Sequence, residues 1–429
     1  MLTQFELQPT VLLYDDDAYA VSFRATVLFS EVRSLPDGTM QITAVFDRTL
    51  FFPEEGGQTP DKGTVLLTDK ENRVRESYTV TDVQIHEGVI THTLLPDLSP
   101  ADSCPTAKES ASSFSPQLCA GCTVLGNIDW DYRFSNMQQH SGEHIFSGLV
   151  YSSFGYSNVG FHLSDHIVTM DYNGILTKEQ VQELEYRANK AIAENVPILA
   201  EYPSADRLAA MTYRSKKELC GPIRIVTVTG YDVCACCAPH VHHTGEIGLL
   251  KVMSLQNYKG GVRLSILCGF RALKAFTEKM NTLSSLTGLL TTAEDSLSDS
   301  VQKLRQENVR LKQALCSAQR DFLFSAAAAV PCTENNLILF ASDCDAGTAR
   351  FLCNDQIDKR NGFCAVFFGT GTPSYSFLIG SRKKDCRELA TLLRNTFGAK
   401  GGGSNEMIQG SVSANKEDLL TFFDSLQCN

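Results

Sequence analysis

The stretch "MQQHSGEHIFSG", residues 137–148, decides how the rest of the chain is read. His140 and His144 stand four apart in a run whose pattern is helical. Positions i and i+4 share one face of a helix, so both imidazoles can reach a single metal ion. One such pair is weak evidence. A second pair follows in "YDVCACCAPHVHHTGEIG" (231–248), where Cys236 and His240 are again four apart, just after a strand-like run. If a sheet brings helix and turn together, one thiolate and three imidazoles make a donor set suited to Zn²⁺. Cys234, Cys237, His242 and His243 are rival ligands that spacing alone does not rank, and Cys119 and Cys122 form a separate, lone C-x-x-C.

At 429 residues the chain exceeds one ordinary core, so several domains are expected. Its 43% hydrophobic and 20% charged residues describe a soluble globular protein. No window reaches the ~20 uninterrupted apolar residues that span a bilayer, and "MLTQFELQPTVLLYDDD" lacks the features of a signal peptide. The 15 cysteines are dispersed, which fits a reducing, cytoplasmic setting better than a disulfide framework. Net charge is 38 − 49 = −11, so any RNA binding must rest on local basic patches.

An α+β architecture is expected. Residues 1–126 carry short alternating runs such as "AVSFRATVLFSEV", "TMQITAVFD" and "GTVLLTD", separated by Gly- and Pro-containing turns, the pattern of a small β-barrel. Residues 127–271 mix helices and strands into a two-layer arrangement over a largely antiparallel sheet, with the amphipathic helix "TKEQVQELEYRANKAIAENV" stopping at Pro197. Residues 272–332 read as helix. Leu297, Val301, Leu304, Asn308, Leu311 and Leu315 alternate by four and three, an a/d seam whose partner is either an intramolecular hairpin or a second chain. Residues 333–429 form a further α/β module.

Two family resemblances compete. H-x-x-E-H is the inverzincin metalloprotease pattern, with Glu143 as general base and Glu183, Glu185 or Glu194 as third ligand. That reading leaves Cys236 and His240 unused. The second resemblance covers nearly the whole chain in one order. "FFPEEGGQTPDKG" (51–63) resembles the F-Y-P-x-x-G-G-Q-x-x-D-x-G segment of the barrel beside the editing domain of alanyl-tRNA synthetases. "IDWDYRFSNMQQHSGEHIFSG" resembles that family's ligand helix, "CCAPHVHHTGEIGLLKV" its C-G-G-T-H-V turn, and "GAKGGGSNEMIQG" the glycine-rich segment of the C-terminal DHHA1 module. The barrel pattern begins almost at Met1, so no aminoacylation domain is expected before it, and no D-H-H triplet occurs, which argues against the phosphoesterases that share DHHA1. The chain therefore resembles the freestanding alanyl-tRNA editing proteins in their long form.

That resemblance implies zinc held by His140, His144, Cys236 and His240, and hydrolysis of serine or glycine from mischarged tRNA for alanine. It implies a pocket with Asn158 and His162 as candidates, and a cleft bordered by Gly57 and Gln58. The basic groups Arg214, Lys216 and Lys217, and Arg382, Lys383, Lys384, Arg387 and Arg394 with Lys400, are candidates for RNA, as are Gly401, Gly402 and Gly403 as a phosphate cradle. A homodimer through the helical segment or the C-terminal module is a further expectation, and a non-catalytic tRNA-binding relative is the alternative function.

Overall fold

Apolar alternation along Ser22–Ser34 (β2) buries Phe23, Ala25 and Val27 and exposes their neighbours, as one wall of a barrel requires. The computed structural model describes residues 7–36, 38–97, 117–215, 222–331, 335–342, 344–371 and 374–426. The remaining barrel strands are β3 (Met40–Phe46), β5 (Gly63–Thr68), β6 (Val74–His86), β7 (Val89–Pro96) and β8 (Thr123–Ile128). They close in the order β2-β3-β7-β6-β5-β8 around a core that includes Phe46, Phe51, Phe52, Tyr78 and Ile90. A short pair, β1 (Val11–Leu12) with β4 (Arg48–Thr49), and a single-turn helix α1 (Leu13–Asp16) flank it. The expected barrel is therefore present.

His92 sits wholly buried in that barrel, its ring nitrogens 3.0 Å from Thr49 Oγ1 and 3.3 Å from the Ala44 carbonyl oxygen. Burial disfavours the imidazolium and pushes its pKa down to about 3.

Contacts divide the chain into two units, Met1–Thr282 and Leu283–Asn429. In the first unit the barrel is joined by a four-stranded antiparallel sheet ordered β14-β15-β10-β9: β9 (Asn158–Leu163), β10 (Val168–Tyr172), β14 (Leu250–Tyr258) and β15 (Gly261–Cys268). Helices α2 (Trp130–Phe154) and α3 (Lys178–Glu194) pack on it, with Met137, Phe146, Leu149, Val181, Leu184 and Ala188 against Met170, Leu264 and Ile266. A capping box from Thr177 and Gln180 starts α3, and Asn195 in the left-handed conformation ends it two residues before Pro197. A small sheet of β11 (Ile198–Glu201), β12 (Ile225–Val228) and β13 (Asp232–Ala235) and the short helix α4 (Ala205–Ala210) complete this layer.

One ion pair locks the barrel to α2. Arg133 and Asp61 are fully buried and bonded to each other, with Arg133 Nε 3.0 and 2.9 Å from the two carboxylate oxygens. Arg133 also donates to the Ala18 and Leu50 carbonyls, and Asp61 Oδ2 accepts from the Phe52 amide at 2.6 Å.

In the second unit α6 (Leu297–Ala329) leads to a sheet ordered β16-β17-β18-β20-β19, with β16 (Leu337–Ala341) parallel to β17 (Cys364–Gly371) and the other pairs antiparallel. The other strands are β18 (Ser374–Gly380), β19 (Lys400–Gly403) and β20 (Met407–Ser413), and α7 (Ala346–Gln356), α8 (Cys386–Phe397) and α9 (Lys416–Ser425) pack on the sheet. The helical segment is interrupted: α5 (Gly269–Leu290) ends at Thr291, whose φ is +48°, before α6 begins. Along α6 the expected seam is solvent-facing, with Val301, Leu304, Asn308, Leu311 and Leu315 all exposed. Among the described residues no helix is long and apolar enough to cross a membrane.

Two measurements check this packing. Arg133→Met strands the Asp61 carboxylate in the core and should cost about 3–5 kcal/mol in denaturant unfolding of the first unit. For His92 the folded pKa lies below the unfolded value, so the unfolded chain binds the extra proton between about pH 6.5 and pH 3. Stability is therefore fully present above pH 6.5 and falls as pH drops through that window. His92→Gln should be less stable at pH 7 yet show a shallower fall across it.

Candidate metal centre

Helix α2 is buried along most of its length and on every side, which is why small residues recur in it. A Cβ on Gly142 would collide with Cys268 Sγ, and one on Gly148 with the Tyr231 carbonyl. Asp129 caps its start by accepting from the Tyr132 amide, and Gly155 ends it in the left-handed conformation. This rigid helix presents His140 and His144 with ring centroids 5.4 Å apart.

The turn after β13 brings the second pair to them. His240 places its ring 4.8 Å from that of His140 and 4.7 Å from that of His144. Cys236 Sγ lies 3.5 Å from His140 Nε2 and 3.4 Å from His240 Nε2. One donor atom from each of the four residues lies within 4.8 Å of all the others. Arg224 holds the turn by donating to the Cys236 and Ala238 carbonyls at 3.2 and 2.8 Å, and its own carbonyl accepts from the Cys236 amide.

Each imidazole is aimed by a contact at its other nitrogen. His140 Nδ1 meets Gln58 Oε1 at 2.8 Å, His144 Nδ1 meets Asp232 Oδ2 at 3.0 Å, and His240 Nδ1 meets Ser141 Oγ at 3.0 Å. With Nδ1 carrying the proton toward these acceptors, every Nε2 is left as a lone-pair donor facing the centre. His144 Nε2 is buried with no hydrogen-bond partner among the described residues, an orphan that a cation would satisfy. The residues fit a zinc ion: three imidazole nitrogens and a thiolate, each imidazole with an outer acceptor.

Electrostatics agree. Burial acts to raise the Cys236 thiol, but the imidazoles of His140 and His240 outweigh it and hold the thiol well below its ordinary range. Burial would lower His144, yet the bond to Asp232 and the nearby Cys236 lift it to about 9. Burial pushes His240 down to about 3. Asp232 in turn is held low against burial by His144 and by Arg214, which bonds both its oxygens at 2.7 and 2.8 Å.

The rival ligands take other places. Burial pushes Cys234 up to about 12 and Cys237 higher still. Cys234 does lie within reach of His144 and Asp232, but Asp232 is already committed to Arg214. His242 stacks on Tyr19 at 4.0 Å, and His243 helps cap a short 3₁₀ turn. The Cys119 and Cys122 sulfurs lie 3.4 Å apart in the run leading to β8 and join no larger group among the described residues.

Other expectations need correction. Glu143 is wholly buried, accepting from Ser147 Oγ at 2.6 Å and Asn158 Nδ2 at 2.7 Å, so it is neither a surface residue nor free to serve as a protease base. Glu185 bonds Lys251, and Glu194 accepts from Tyr231. Asn158 has both ends of its amide engaged, Nδ2 on Glu143 and Oδ1 on the Gly160 amide, because it closes this buried network. His162 is exposed, and strand alternation puts it on the face of β9 opposite Phe161, whose ring lies 4.7 Å from that of His140. Gly57 and Gln58 do stand beside the cluster: the Gly57 carbonyl accepts from the Leu163 amide, and a Cβ on Gly57 would collide with the Phe161 carbonyl.

Among the RNA candidates, Arg214 is spent on Asp232, while Lys216 and Lys217 lie outside the described residues. Arg382 bridges Asp358 and Glu406, and Arg387 pairs with Asp385. Lys383, Lys384 and Lys400 are exposed. Gly401, Gly402 and Gly403 form no loop. They make the exposed edge strand β19 on β20, and a Cβ on Gly401 would collide with the Gln409 carbonyl.

Asp232, Ser141 and Arg214 are the contacts that sequence reasoning missed as supports of the cluster, since none belongs to a spaced ligand pattern. Two outcomes test them. Asp232→Asn should weaken zinc binding about 10–100-fold in competition with a chelator, and Cys236→Ala should abolish stoichiometric zinc. Because His144 in the metal-free chain keeps its proton until about pH 9, zinc must displace that proton. Apparent affinity should therefore rise with pH up to about 9.

Comparison with known proteins places this geometry. Residues 223–264, which include Cys236 and His240, match the threonyl and alanyl tRNA synthetase second additional domain. The alanine–tRNA ligase of Ignicoccus hospitalis is 28% identical over 321 residues, 73% of this chain but 32% of the ligase, so the chain spans about a third of that relative. The alanyl-tRNA editing protein AlaX-L of Pyrococcus horikoshii is 22% identical over 95% of this chain and 96% of its own length. The alanyl-tRNA editing protein Aarsd1 of Danio rerio is 25% identical over 96% of this chain and 94% of its own. Over 95–96% of its length, the chain is similar to these two alanyl-tRNA editing proteins.

Proposed function

We propose that the chain is an aminoacyl-tRNA deacylase that hydrolyses the ester joining serine, and also glycine, to tRNA for alanine. The carrying observation is the buried cluster of His140, His144, Cys236 and His240 with its three Nδ1 contacts. It occurs in a chain similar over almost its whole length to proteins named for alanyl-tRNA editing. The need for such an activity is physical. Glycine is smaller than alanine and cannot be kept out of an alanine pocket by size. One added hydroxyl is rejected by only ~1–3 kcal/mol, so a second, hydrolytic sieve is required.

The four residues would hold Zn²⁺, which supplies a Lewis acid or an anchor for the substrate's amino group. The chain's own contribution is to orient and dry the site. Gln58, Asp232 and Ser141 aim the imidazoles, Arg224 holds the Cys236 turn, and Phe161 packs against His140. Cys236 is the half-buried member of the four and would be the one nearest solvent when the metal is held. We read residues 1–126 as the barrel, 127–271 as the editing domain, 272–332 as a helical connection and 333–429 as a DHHA1-like module. Lys383, Lys384 and Lys400 of that module would meet phosphates beside β19. The setting would be the cytoplasm, where tRNA is charged.

The test is deacylation of seryl-, glycyl- and alanyl-tRNA for alanine by purified protein. Seryl-tRNA should lose its amino acid at least tenfold faster than alanyl-tRNA, and Cys236→Ala should lose that activity together with its zinc. Binding of charged tRNA with no release of any amino acid would overturn the deacylase reading in favour of a silent tRNA-binding protein.

A further inference from the structure

Two buried side-chain nitrogens have no hydrogen-bond partner among the described residues: His144 Nε2, a donor atom of the cluster, and Gln58 Nε2, on the side chain that meets the outer nitrogen of His140. A cation accounts for the first, since an imidazole lone pair is a metal ligand. It cannot account for the second, because an amide nitrogen carries two hydrogens and no available lone pair. The sense of the Gln58 amide is set by its neighbour. With His140 Nε2 given to the metal, His140 Nδ1 carries the proton and needs an acceptor, and Gln58 turns its oxygen to it at 2.8 Å. Both N–H bonds of Gln58 are thereby left over.

The position of that amide is held from the backbone. The Leu163 amide donates to the Gly57 carbonyl at 2.6 Å and the Thr59 amide to the Leu163 carbonyl at 3.3 Å, so the turn is stitched to β9 on both sides of Gln58. Gln58 itself is fully buried. A buried donor without an acceptor costs roughly 1–3 kcal/mol, and a turn this constrained does not relieve it by swinging outward.

We infer that Gln58 Nε2 donates a hydrogen bond to the carbonyl oxygen of the bound aminoacyl ester, making it a catalytic residue that stabilises the oxyanion. The assignment rests on the deacylase reading and deepens it. In the reaction the water oxygen bonds the carbonyl carbon, the ester C–O bond breaks, and a water proton ends on the ribose oxygen that leaves. Gln58 keeps both its protons throughout. The carbonyl oxygen is the substrate acceptor that gains negative charge, so a fixed neutral donor in a water-poor site serves it better in the transition state than in the ground state.

Gln58→Glu separates the two duties of this side chain. A carboxylate still accepts from His140 Nδ1, as Asp232 does from His144, but it has no N–H to donate. Zinc content should match wild type, KM for seryl-tRNA should change little, and kcat should fall about 10²–10³-fold. Gln58→Met removes both duties, so zinc binding should weaken, and kcat should stay equally low when zinc is added to saturation. A Gln58→Glu enzyme that keeps zinc and wild-type kcat, or a Gln58→Met enzyme whose kcat recovers at saturating zinc, would refute the assignment while leaving the deacylase reading intact. Wild-type protein that releases no amino acid would overturn both.

Discussion

The buried pair between Arg133 and Asp61 is the constraint on which the site depends. Asp61 belongs to the barrel turn three residues after Gln58, and Arg133 lies two turns before His140 on α2. Joining them sets the distance between the residue that aims an imidazole and the imidazole it aims. Both charges are removed from water, and the pair is tolerated because the Ala18 and Leu50 carbonyls and the Phe52 amide fill its remaining hydrogen-bonding positions. An apolar contact of equal size would hold the two layers together but would not set their register so narrowly.

With that register in place, the centre is assembled from parts that are far apart in the chain. Its three imidazole contacts come from the barrel turn, from β13 and from α2 itself, so no single element can be moved without misaiming a ring. The charges follow the same logic. Neighbouring imidazoles hold the Cys236 thiol well below its ordinary range, while His144 is balanced by Asp232, which is balanced by Arg214. Glu143 sits in a separate network with Ser147, Asn158 and Tyr172 on the same helix and its neighbouring strands. A residue that spells a protease motif is here part of what holds the ligand helix against its sheet.

The second unit illustrates how one composition supports two geometries. A run of three glycines is as compatible with a phosphate-binding loop as with a strand, and the pairing of Gly401 and Gly403 with Gly410 and Ile408 makes it an edge strand. The adjacent basic cluster is partly neutralised by Asp358, Glu406 and Asp385, which lie far from it or beside it in sequence and carry no mark of that role.

The sequence alone determined the barrel, the mixed helix-and-strand pattern that follows it and the two pairs spaced by four, while the choice of Cys236 and His240 over their neighbours came from the family resemblance. Alternation by two, helical spacing by four and a strand before a turn are local properties that survive in any chain order. It also brought Gln58 forward as a candidate, through a motif rather than through a contact. Only the tertiary structure decided the roles of Asp232, Ser141 and Arg214, the burial of Glu143 and the engagement of Asn158, and it set His162 on the far face of β9. Those depend on which side chains meet across 15 to 99 residues of chain. That meeting is governed by packing and by the pairing of buried polar groups, for which one-dimensional spacing holds no record.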